Sequence, residues 1–155
     1  MRKDILPFLA STVNGISLGS LVFAGAVDIR ALLDVLSSGK ESILKELFPV
    51  WWPCGRDLMV PVSLIGVLLN SCMYIQRRKR HDVNKTLWLL PATMHATILL
   101  WTGIVMGGTI GNLMNAKGDD FNAAFKLFCK LHFPRILFSG IGASCSTLAL
   151  MNHSD

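Results

Sequence analysis

Charge is segregated along this chain more sharply than a water-soluble fold requires. Four stretches, Ile5–Val27, Leu58–Gln76, Thr86–Ala116 and Ile136–Ser154, contain no Asp, Glu, Lys or Arg. All 25 charged residues lie in the remaining 63 of the 155 positions. A helix needs about 20 apolar residues to cross a hydrocarbon core of roughly 30 Å. The stretches therefore predict four spans, at about 5–27, 58–76, 87–113 and 135–152, in a single membrane domain covering 1–155. The fold class is all-α: an integral membrane four-helix bundle with short interfacial helices in the two non-cytoplasmic loops. Disorder is excluded by a 52% hydrophobic composition, and a disulfide scaffold by only four cysteines.

The first stretch also has features of a secretory signal: Arg2 and Lys3, an apolar run, then Ala24-Gly25-Ala26. A signal's apolar region spans about 7–15 residues. This one spans 23 and is interrupted by Asn14 and Gly15, so it is read as a membrane helix.

Basic residues set the orientation. Arg77, Arg78, Lys79, Arg80 and Lys85 crowd the turn between spans two and three, which places that turn, and with it both termini, on the cytoplasmic side. The same five side chains are candidates for contact with anionic headgroups. The net charge of +5 comes largely from this cluster, and aromatic residues are not interleaved with it, so nucleic acid is not an expected partner.

In the first opposite loop, Ile29, Leu32, Leu33 and Leu36 recur at helical spacing, and Ser37-Ser38-Gly39 ends the run. Ile43, Leu44, Leu47 and Phe48 repeat the pattern, after which Pro49 and Pro53 predict an interruption around the paired indoles Trp51 and Trp52. In the second, Asp119 or Asp120 is expected to cap a short helix carrying Phe121, Phe125, Phe128 and Leu131 and ending at Pro134. Small residues mark expected contacts within the bundle: Ser11, Gly15 and Gly19; Ser63, Gly66 and Asn70 with Met73; Gly103, Gly107 and Gly111; Ser139 to Ser144. The third stretch exceeds one crossing and must tilt, overrun the interface or break near Gly107-Gly108.

Polar groups inside a bilayer need a partner or a purpose. Asn14, Asn70, His95 and Asn112 are the chief cases. His95 is expected to face the bundle interior, either bonded to Asn14, Asn70 or a carbonyl, or free to exchange a proton. Asp28, Arg56 and Asp57 sit where spans one and two meet the outer interface, placed for an ion pair between helix ends or for a substrate mouth. The sequence lacks HxxxH, ExxH and CxxC, and His81, His132 and His153 are read at the interfaces, so no metal or haem site is expected. Cys54 and Cys129 fall on one side of the membrane, where pairing is open to them.

Two segments carry a resemblance. Trp51-Trp52-Pro53-Cys54-Gly55-Arg56-Asp57-Leu58-Met59-Val60-Pro61 is similar to a pattern of aromatic, glycine, methionine and proline in the anthrone oxygenase-like family of small four-span membrane proteins. Gly108-Thr109-Ile110-Gly111-Asn112-Leu113-Met114-Asn115 resembles that family's Thr–x–x–Asn–x–x–Leu stretch, with the leucine shifted. Trp51-Trp52-Pro53 and the basic turn depart from it. The resemblance implies a cofactor-independent oxygenase with dioxygen as co-substrate and a lipophilic polycyclic or phenolic substrate. His95 would be the general base, with Asn112 and Asp57 orienting. Against it stands a reading in which the chain is a non-enzymatic scaffold or accessory membrane protein whose partners are lipids and other helices.

Overall fold

The computed structural model describes residues 5–79, 82–115 and 120–152. Arg80, His81, Asp119 and His153, singled out above, lie outside them, as do Arg2 and Lys3. The described chain is helical throughout: α1 (Ile5–Phe23), α2 (Ile29–Ser37), α3 (Glu41–Lys79), α4 (Thr86–Leu100), α5 (Gly107–Asn115) and α6 (Phe121–Met151). A π-helical turn at Ala24–Asp28 joins α1 to α2, and another at Trp101–Val105 leads from α4 to a bend at Met106. Among the described residues, four helical segments are long and apolar enough to cross a membrane. Around the bundle, α1, α3, α4 and α6 follow in that order, so that α1 faces α4 across one diagonal.

Each long helix is laid out on a repeat of steps of three and four. In α6 the buried positions are Phe121, Phe125, Phe128, His132, Arg135, Ser139, Gly142, Ser146 and Ala149, an unbroken seam. In α1 they are Pro7, Ala10, Asn14, Ser17 and Leu21. Continuing those steps would bury Asp28; the π turn inserts one residue, and the seam resumes at Ile29, Leu32 and Leu36. The same device works in the third span. Trp88, Pro91, His95 and Ile98 lead by these steps to position 112, but the second π turn moves the buried face on by one, to Met106 and Leu113.

The molecule has two tiers. In the charge-free tier the polar side chains Asn14, Ser17, Ser63, Asn70, His95 and Ser139 are buried, whereas Phe8, Leu68, Leu100 and Leu137 point outward and Ile104 is 77% exposed. Apolar outside and polar inside is the arrangement that a lipid solvent selects. The chain is thus a multi-pass integral membrane protein. The second tier lies beyond it. There α2, the first turns of α3, α5 and the first turns of α6 enclose Leu36, Leu44, Phe48, Phe121, Phe125 and Phe128.

That outer core corrects two expectations. α3 runs unbroken through Pro49, Pro53 and Pro61, and α6 through Pro134, so neither loop holds a separate proline-ended helix. An interior proline costs about 3 kcal/mol. Phe48 lies flat against Trp52 at 6.3 Å and meets the Phe128 ring edge-on at 5.3 Å and the Phe125 ring edge-on at 6.2 Å. Burying each large ring is worth about 1.5–3 kcal/mol, and each aromatic pair adds about 0.5–1.5 kcal/mol, so the packed face holds the helix together. The predicted break after Ser37 is real, with Gly39 supplying a φ of 74°. Asp120 precedes α6 without capping it through its side chain.

Candidate functional site

Three side chains from three helices meet at the centre of the membrane tier. Asn14 of α1 and Asn70 of α3 exchange hydrogen bonds: Asn70 Nδ2 donates to Asn14 Oδ1 at 2.9 Å, and Asn14 Nδ2 donates to Asn70 Oδ1 at 3.2 Å. The second Asn70 proton goes to the Gly66 carbonyl at 2.7 Å. His95 reaches across the diagonal from α4, its Nε2 2.8 Å from Asn14 Oδ1. An amide oxygen only accepts, so Nε2 carries the proton and Nδ1 is the bare nitrogen. Nδ1 has no partner. The ring lies directly on α3, where a Cβ at Gly66 would stand 2.5 Å from it. None of the cavities described below is lined by His95. Beside this cluster, Ser139 donates to Ser17 at 3.1 Å, tying α6 to α1.

The buried face predicted for span two, Ser63, Gly66, Asn70 and Met73, is the observed one. The glycine ridges are a correction. A Cβ at Gly15, Gly19, Gly103, Gly107 or Gly111 would meet nothing within 4 Å, so these faces do not pack inside the bundle. Approaches too close for a Cβ occur at Gly66, on the expected face of span two, and at Gly25, while Gly142, in the expected stretch of span four, is in ordinary contact with Pro91 and Met94.

Asn112 and Asp57 are not brought to His95. Asn112 is exposed on α5, turned away by the π turn at Trp101–Val105. Asp57 is exposed and paired with its neighbour Arg56 at 2.7 Å. Asp28 instead accepts a hydrogen bond from the Trp51 indole at 3.3 Å, so the expected ion pair between helix ends is absent among the described residues. Of the basic cluster, Arg77 is folded onto Asp82 at 3.1 Å, Arg78 and Lys79 are exposed, and Lys85 is half-buried. All four cysteines are free, Cys54 and Cys129 included. Among the described residues no three His, Cys, Asp or Glu side chains gather as a metal site would require.

A second polar centre was missed by the sequence reading, which placed His132 at the interface and the start of the fourth span at position 135. Both are buried, Arg135 to 5% exposure. His132 Nε2 donates to the Leu21 carbonyl of α1 at 3.1 Å, and Arg135 donates to His132 Nδ1 at 3.4 Å. The guanidinium lies 5.9 Å from the Trp52 ring centroid. Arg135 Nε has no hydrogen-bond partner, and Arg135 makes no ion pair among the described residues. Arg135, Trp52 and Met59 line both of two cavities, of about 390 and 280 Å³. Each is flanked by one π turn, through Ala24 in the larger and Thr102 and Gly103 in the smaller. The available signal was the seam itself: Phe121, Phe125 and Phe128 step on to positions 132 and 135.

The chain matches no family model, no curated protein and no solved structure.

Proposed function

We propose that the protein is a non-enzymatic helix-bundle scaffold or accessory protein of its membrane, with the basic turn and both termini on the cytoplasmic side. The observation that carries this reading is the seating of His95. Its Nε2 proton is committed to Asn14, its ring is pressed on Gly66, and it lines neither of the two cavities beside Arg135. A general base must lie within hydrogen-bond reach of the proton it takes. Asn14, Asn70 and His95 therefore serve as a lock among three helices, and the open glycine faces of α1 and of the third span are left for lipid or for neighbouring helices.

The oxygenase alternative places its base at His95, with Asn112 and Asp57 beside it, and gains no support from their separation. Its test is anthrone consumption and oxygen uptake by the purified protein in proteoliposomes. The scaffold reading predicts rates equal to those of empty liposomes. Turnover that disappears in His95→Ala would overturn it.

A further inference from the structure

The larger of the two cavities is lined by a buried cation, Arg135, that makes no ion pair among the described residues. Arg135 is buried, its Nε is unpartnered, and it lines the cavity together with His132, Trp51 and Trp52. An unpaired buried charge costs several kcal/mol, so the site calls for an anion. His132 cannot supply one, because its two ring nitrogens are taken up by Leu21 and Arg135.

The position of the cavity identifies the anion's class. Arg135 directly precedes the charge-free part of α6, Asp28 directly follows that of α1, and Trp51 and Trp52 shortly precede that of α3. These residues share the level of the lipid headgroups, where indoles and charges concentrate. On the membrane side the wall is apolar, formed by Gly19, Leu21, Phe23, Leu58 and Met59, and Phe23 and Leu58 are exposed on the lipid-facing surface. A head that must be anionic thus adjoins a slot open to acyl chains. The volume of about 390 Å³ falls in the range of roughly 300–1,000 Å³ typical of ligand sites.

Asp28 refines the class. It lines the same cavity, and its carboxylate is turned to the Trp51 indole rather than to Arg135. A purely anionic head would satisfy Arg135 and face Asp28 unfavourably. We infer that the cavity bounded by Arg135, Asp28, Trp52 and Met59 binds one membrane phospholipid with an amine-bearing head, its phosphate on the Arg135 guanidinium, its ammonium toward Asp28 and one acyl chain along Phe23 and Leu58. This site stands whether or not the scaffold reading does, since it shares no residue with the His95 cluster.

The test is lipid retention by the full-length protein, measured by native mass spectrometry from detergent micelles. The probes are dioleoyl phosphatidylethanolamine, dioleoyl phosphatidylglycerol, oleate and inorganic phosphate. One equivalent of phosphatidylethanolamine is expected to be retained in preference to the other three. Arg135→Gln is expected to weaken it about ten- to a hundred-fold, the usual effect of losing a charge-assisted hydrogen bond. Asp28→Asn is expected to abolish the preference over phosphatidylglycerol. Should Arg135→Gln fail to fold, Gly19→Leu serves in its place: a Cβ there meets open space, the guanidinium is kept, and the acyl slot is filled. Equal retention by the wild type and by Gly19→Leu or a folded Arg135→Gln would overturn the proposal. So would oleate or inorganic phosphate binding as tightly as the phospholipid.

Discussion

Asn14 and Asn70 satisfy each other across the α1–α3 contact, and the Asn14 oxygen then has a lone pair left for His95 on the opposite helix. One amide thereby closes the bundle along both an edge and a diagonal. Removing it strands the Asn70 amide and the His95 Nε2–H in an apolar interior. A buried donor left unsatisfied costs about 1–3 kcal/mol. Asn14→Ala is expected to destabilise the protein by that amount in thermal unfolding in micelles, whereas Asn112→Ala, on an exposed site, stays within about 0.5 kcal/mol.

Glycine substitutions separate packing from mere composition. A Cβ at Gly66 collides with the His95 ring, so Gly66→Ala is expected to cost about 1–3 kcal/mol, as overpacking of a core does. At Gly103 or Gly107 a Cβ meets open space, and alanine there is expected to be neutral or to stabilise by up to about 1 kcal/mol. The same melting measurement decides between them. Equal losses at Gly66 and Gly103 would contradict the packing described.

The spans were legible because charge segregation is a one-dimensional signal that every helix must obey in lipid. So was the buried face of α3, where Ser63, Gly66, Asn70 and Met73 keep a regular step. What sequence reasoning missed came from two physical sources. Each π turn adds a residue that no local pattern announces, and each rephases the chain after it; that is why Leu113 rather than Asn112 faces inward. The prolines were given their intrinsic cost without the long-range contacts that oppose it. Phe48 meets Phe125 and Phe128 across 77 and 80 residues of chain, which no local window sees. Treating Pro134 as a boundary then hid the continuity of α6, and with it the burial of His132 and Arg135.

The outer tier makes its own prediction. Phe48 is almost wholly buried and contacts four other aromatic rings, two of them on α6. Phe48→Ala is expected to cost about 3–5 kcal/mol. With that face weakened, the proline-rich stretch from Pro49 to Pro53 is expected to open first, seen as faster amide hydrogen exchange over residues 44–57. Phe133, exposed on α6, is expected to tolerate alanine within about 0.5 kcal/mol. Unchanged exchange in Phe48→Ala would contradict the role given to the aromatic face.

Membrane embedding is the claim on which the rest depends, and it fixes a relation between two points on α3. Cys54 and Arg78 lie at opposite ends of the charge-free run Leu58–Gln76 and are both exposed. In sealed vesicles, a membrane-impermeant maleimide is applied to two single-cysteine variants, one keeping only Cys54 and one carrying only Arg78→Cys. The account predicts that one of the two is labelled in intact vesicles and the other only after permeabilisation. Labelling of both from the same side would contradict it.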